Sequence, residues 1–105
     1  MKRFDVWLIN LDPTIGSEIR KTRPAVIVSP DELNAHLATV IVVPLTTGRS
    51  YPFRMNTKAA GKSGVAAIDQ IWTVDRRRLV KKVDTMPSKD GTRLLNSLGE
   101  LFAFF

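Results

Sequence analysis

The chain has 105 residues, enough for one domain with a modest core, and it has no cysteine and a single histidine, His36. That composition excludes a disulfide framework, thiolate catalysis and cysteine- or histidine-ligated metal, so no cofactor and no metal are expected. Hydrophobic residues make up 44% and charged residues 25%, and sixteen Lys and Arg against ten Asp and Glu give a net charge of +6, which suits a polyanionic partner. No apolar stretch is long enough to span a bilayer, and the basic start Met1-Lys2-Arg3 leads into no long apolar run, so a cytoplasmic protein without membrane contact is expected.

Phe4 to Leu11 is rich in aliphatic and aromatic residues and stops at the turn signal Asp12-Pro13-Thr14, which predicts the first strand. A polar loop pivoting on Gly16 follows, and Arg23 to Val28 is a continuous β-branched run expected to be a central strand. Ser29-Pro30-Asp31-Glu32 reads as a helix N-cap, a proline at the first helical position and two first-turn acids, predicting a short helix to about Leu37. His36 near its end is read as a solvated or capping residue. Val40 to Thr46 returns as a strand, and Thr47 to Ser63 reads as a polar, glycine-bearing segment interrupted at Tyr51-Pro52-Phe53, with room for a short edge strand. Gly64 to Asp75 reads as one long strand with apolar residues on both sides, a pattern that suits a small curved barrel; Leu79 to Val83 adds a last strand. Ser88 is expected to cap a C-terminal helix carrying the stripe Leu94, Leu98, Leu101 and Phe105, widened by Leu95 and Phe102. Gly91 and Gly99 each weaken that helix by about 1 kcal/mol relative to Ala, so docking must hold it.

Arg23 is the most informative residue. It places a permanent cation with a planar fork of donors where a loop becomes a buried strand, while Thr46-Thr47 puts hydroxyls at the exit of another strand. A phosphate fits between them. The other cations gather in Arg20-Lys21, in Arg76-Arg77-Arg78 with Lys81-Lys82, and in Arg49, Arg54, Lys58 and Lys62; the triple Arg reads equally as a solvated face or as a nucleic-acid patch.

Five ordered segments carry a resemblance: Asp12-Pro13-Thr14-x-Gly16-Ser17-Glu18; Thr22-Arg23-Pro24-Ala25-Val26-Ile27-Val28-Ser29-Pro30; Val43-Pro44-Leu45-Thr46-Thr47; Tyr51-Pro52-Phe53; and Gly64-Val65-Ala66 with Asp69-Gln70-Ile71. In that order the chain resembles the MazF/PemK toxins. The resemblance implies a single domain over residues 1–105, mainly β, with a small SH3-like barrel of the CcdB/MazF/PemK type, a short helix after strand two and a C-terminal helix. It also implies a homodimeric, sequence-specific endoribonuclease that cuts single-stranded RNA, mRNA in particular, at a short sequence without a metal, and that is neutralised by a cognate antitoxin, with DNA reached only through that antitoxin. By the same resemblance, Arg23 and Thr46 lie at the cleavage site.

Metal-free RNA cleavage uses the neighbouring 2′-hydroxyl against its own phosphate and leaves a 2′,3′-cyclic phosphate and a 5′-hydroxyl. The protein must take up one proton, deliver another and neutralise charge on the phosphoryl oxygens. Arg23 suits the charge, and Thr46 can donate to the same phosphate or hold the hydroxyl in line. Glu18 ranks slightly ahead of Asp69 as the base, although a carboxylate paired with Arg is a weak base and either acid can instead orient Arg23. Ser17, Thr47 and Gln70 read as positioning groups, and Trp72, Tyr51 and Phe53 as platforms for unpaired bases. Trp72 departs from the family, where a basic residue is common, and Ile19-Arg20-Lys21 departs from a Gln- and Gly-bearing loop. The alternatives are a CcdB-type toxin that poisons a topoisomerase without nuclease activity, and a basic RNA-binding barrel.

Overall fold

The computed structural model describes residues 1–12, 21–49 and 52–104. Among the described residues seven strands and two α-helices follow in chain order: β1 (Asp5–Asn10), β2 (Thr22–Ile27), α1 (Asp31–His36), β3 (Thr39–Thr46), β4 (Arg54–Ala59), β5 (Lys62–Ala67), β6 (Trp72–Asp75), β7 (Leu79–Thr85) and α2 (Ser88–Leu101). All pairings are antiparallel, in the order β4-β5-β3-β2-β1-β7, with β6 on the remaining part of β3. The sheet curls because β3 serves three partners along its length and because the β1–β7 ladder shifts register twice, and such irregularities bend and twist a strand.

The uninterrupted apolar runs of β2 and β3 have a physical reason: both faces are covered. Val26, Val43, Leu45, Met55, Ala66, Ile68 and Leu94 build one core, against which Leu95, Leu98 and Leu101 of α2 pack. Ala25, Ile27, Val42, Val40, Val74, Ile9 and Leu79 build a second on the opposite face. A fully buried aliphatic side chain contributes about 1.5–3 kcal/mol, so these strands are the main source of stability. Gly91 is part of this packing, because a Cβ there would come within 2.5 Å of the Phe4 ring. The helix tolerates this glycine so that an aromatic can seat against its backbone.

Several expected elements are redrawn. Gly64 to Asp75 is interrupted by a single 3-10 turn at Ile68–Gln70, so β5 and β6 pair with different parts of β3 and the expected pair of continuous faces does not form. The polar segment before it contains a full strand, β4, whose Met55 and Thr57 are buried between Arg54, Asn56 and Lys58. β4 and β5 join through Ala60-Gly61, both at positive φ (52° and 78°), the combination that matches a two-residue hairpin to strand twist. Neither serine caps its helix. Pro30 and Pro87 occupy the N-cap positions without a side-chain bond, because Ser29 is turned inward to Asn34 Oδ1 (2.5 Å) and Ser88 already lies inside α2. Phe102 leaves the stripe and is 71% exposed, and Phe105 lies outside the described residues.

Candidate active site

The seam between β2 and β3 ends at Ala25↔Pro44. Pro24 and Pro44 bring no N–H to a ladder, which explains why pairing stops here. Counting two residues beyond that last pair along each strand reaches Arg23 and Thr46, so both share the face of Ala25 and Pro44 and the same end of the sheet. Thr46 does not continue the seam. It pairs instead with Val65 of β5, whose neighbour Gly64 lies so close that a Cβ would stand 2.7 Å from the Thr46 carbonyl oxygen.

Two cavities flank this end. Arg23 lines one of about 250 Å³ together with Leu11, Pro44, Gln70 and Trp72. Trp72 pairs with Val42, which puts its 38%-exposed indole on the Pro44 side of the sheet, and Gln70 projects from the 3-10 turn just before it. Among the described residues no hydrogen bond or ion pair engages the exposed Arg23 guanidinium, which leaves its five donors for an anion. The other cavity, of about 430 Å³, has Thr46 and Thr47 at its edge and Pro24, Leu8, Leu45, Thr57, Ser63 and Val83 among its walls. The structure thus gathers Arg23, Gln70 and Trp72 in one recess and sets Thr46 and Thr47 at the adjoining one.

Asp69 is differently employed. Arg54 grips it with two bonds, Nε to Oδ1 at 2.6 Å and Nη2 to Oδ2 at 3.0 Å, and this guanidinium lowers its pKa below the usual carboxylate value. A carboxylate so held is a weaker base, so Asp69 fits a role in fixing the 3-10 turn that presents Gln70. Phe53 is half-buried against the first core, and its carbonyl accepts from Ile68 N (3.1 Å) at the start of that turn. Phe53 is therefore a packing residue more than a platform. Glu18, Ser17 and Tyr51, with the departing residues Ile19 and Arg20, lie outside the described residues.

The three consecutive arginines resolve into structural roles. Arg76 Nη1 donates to the Asn34 carbonyl (2.6 Å) at the end of α1, and Arg78 Nη1 donates to the Asp12 carbonyl (2.5 Å), fixing the chain where β1 ends. Arg77 pairs with Asp75 and lowers that carboxyl to about 2. His36 Nδ1 faces the Glu32 carbonyl at 2.7 Å, in keeping with a helix-end residue. What sequence reading missed are the quiet members of the site: Pro44 and Leu11 as apolar floor and Gly64 as the spacer behind Thr46. The Val43-Pro44-Leu45 and Gly64-Val65-Ala66 segments were the available signals.

Comparison with known proteins assigns the family. Residues 2–102 match the model for PemK-like, MazF-like toxins of type II toxin-antitoxin systems. The chain is 33% identical over 108 residues to endoribonuclease PemK of Escherichia coli, covering 96% of this chain and 81% of that protein. Among solved structures it resembles MazF of Deinococcus radiodurans (26% identity, TM-score 0.81, 99% of this chain and 97% of that one). It also resembles a structure of the MazE-MazF complex from the same organism (26% identity, TM-score 0.81, 96% and 94% covered). With the Arg-Pro strand, the Thr-Thr strand end and the curled sheet in the expected places, the chain belongs to the PemK/MazF family of type II toxins.

Proposed function

We propose that this toxin is an endoribonuclease that cleaves single-stranded RNA, mRNA in particular, by attack of a 2′-hydroxyl on its adjacent phosphate, with no metal in the step. The observation that carries the reading is the exposed Arg23 guanidinium at the same sheet end as Thr46, over an apolar floor that includes Trp72. The 2′ oxygen forms a bond to phosphorus as the bond to the 5′ oxygen breaks, giving a 2′,3′-cyclic phosphate and a 5′-hydroxyl. Negative charge grows on the equatorial oxygens, and a fixed guanidinium there lowers the barrier by about 3–4 kcal/mol. The Thr46 hydroxyl donates to the same phosphate. Glu18 is our candidate for removing the 2′ proton, Thr47, Ser17 and Gln70 position the strand, and Trp72 stacks a base.

The protein acts as a homodimer and is silenced by a cognate antitoxin. Similarity to a chain solved as a MazE-MazF complex supports the second partner. Exposed Leu33 on α1, Leu37 just after it, and Phe102 and Phe104 beyond α2 supply apolar surface for such contacts. Incubating the purified protein with mixed-sequence RNA in excess chelator tests the reading. Discrete fragments with cyclic phosphate ends are expected, and intact RNA at stoichiometric protein overturns it.

A further inference from the structure

The cavity bordered by Thr46 and Thr47 has features that cleavage at Arg23 and Thr46 does not use. Its volume of about 430 Å³ falls in the range of small-molecule sites, and Leu8, Pro24, Leu45 and Val83 give it an apolar interior. Thr57 belongs to its wall, is only 8% exposed, and its buried Oγ1 has no hydrogen-bond partner among the described residues. A buried hydroxyl is normally paired, so an orphan in a cavity wall marks a place where a ligand's polar edge can complete the set. Rotation about χ1 exchanges the methyl and the hydroxyl at that wall. The mouth carries the exposed Lys62 and Ser63 beside Thr46 and Thr47. The β4–β5 turn that lines it is held in place: Ala60 donates its N–H to Asp84 Oδ2 on β7 at 2.8 Å.

We propose that this cavity seats a nucleobase of the RNA, from a nucleotide adjoining the scissile phosphate, and that Thr57 reads its edge. The inference rests on the reading of Thr46 as a cleavage-site residue. A nucleobase answers the three features together: flat apolar faces for the aliphatic walls, edge donors and acceptors for the Thr57 hydroxyl, and a following phosphate for Lys62 at the mouth. A protein segment inserting an aliphatic side chain satisfies the walls alone.

The test follows the methyl resonances of Leu8, Leu45 and Val83 while the protein is titrated with 2′-O-methylated pentanucleotides of A, C, G and U, which cannot be cut. At least one is expected to shift these methyls, and Thr57→Val is expected to weaken that binding about tenfold, the loss of one hydrogen bond to a base edge. Ala59→Leu, which fills the cavity, is expected to remove the shifts; circular dichroism melts establish that both variants fold. In parallel, cut sites in a random-sequence RNA are expected to lose preference at one position beside the cut in Thr57→Val. If the wild type cuts RNA while cavity methyls stay still and both variants keep its base preference, the nucleobase seat is overturned and the nuclease reading stands. If oligonucleotides shift the cavity methyls but no RNA is cut, the nuclease reading falls and the placement beside a scissile phosphate falls with it, leaving only a base-binding cavity. Binding of no oligonucleotide, or shifts only with an apolar peptide, overturns the seat.

Discussion

Gly64→Ala is a one-methyl change with a calculable consequence. The added Cβ would lie 2.7 Å from the Thr46 carbonyl oxygen and 3.6 Å from its carbon, where ordinary contact begins near 3.4 Å. The obstacle is backbone, so no rotamer relieves it, and β3 and β5 must separate by about 0.7 Å or the ladder pair Thr46↔Val65 must tilt. Overpacking of this kind costs about 1–3 kcal/mol of stability. If Thr46 serves the scissile phosphate as proposed, displacing it by most of an ångström costs about 10- to 100-fold in rate, since a 1 Å misplacement is worth about 100-fold. Urea unfolding and single-turnover cleavage of a short RNA measure the two effects, with Gly99→Ala as the internal control. Among the described residues nothing lies within 4 Å of a Cβ at Gly99, and that exposed helical site should gain about 1 kcal/mol with unchanged cleavage. A Gly64→Ala protein as stable and as fast as the wild type would refute the close approach and its hold on Thr46.

Gly91→Ala should lose about 1–3 kcal/mol by urea unfolding, despite improved helix propensity, because the Phe4 ring occupies the space of the new methyl. Ala60→Gly should raise stability by about 1 kcal/mol in the same assay, since an L-residue at φ 52° carries a left-handed penalty that glycine avoids. Acid should weaken the fold in a defined window. Asp69, Asp75 and Asp84 have lowered pKa values, from Arg54, from Arg77, and from the amides of Ala60 and Thr85 respectively. A carboxyl with a depressed folded-state pKa contributes its stability above the unfolded value of about 4 and loses it as pH falls through the folded value. Thermal melts should therefore drop between about pH 4 and about pH 2, where Asp75 titrates, and Asp84→Asn should flatten part of that drop.

Much of this molecule is legible in its residues. The β-branched runs after Arg23 and before Thr46 announce strands, and their lack of alternation reflects a sheet with a core on each face. The Gly64–Asp75 segment misleads because apolar residues on both sides hide a corner: Ile68 is buried in the first core while the 3-10 turn redirects the chain to a second stretch of β3. β4 is obscured by its polar residues Arg54, Asn56 and Lys58, which mask the alternation of Met55 and Thr57. At the proposed site, the Arg23 cation and the Thr46 hydroxyl at neighbouring strand ends are readable as chemistry, and the resemblance adds their proposed role. The employment of Asp69 by Arg54, and of Arg76 and Arg78 by distant carbonyls, depends on contacts between residues far apart in sequence, which no local pattern reveals.

The central claim is that one phosphate is served by both Arg23 and Thr46, and a double-mutant cycle in single-turnover cleavage tests it directly. Arg23→Ala and Thr46→Val should each slow the wild-type rate by about 100- to 1,000-fold, and the double variant should be little slower than the worse single one, because groups that act as a unit are not additive. Strictly multiplicative losses, or a Thr46→Val rate equal to wild type, would contradict the account.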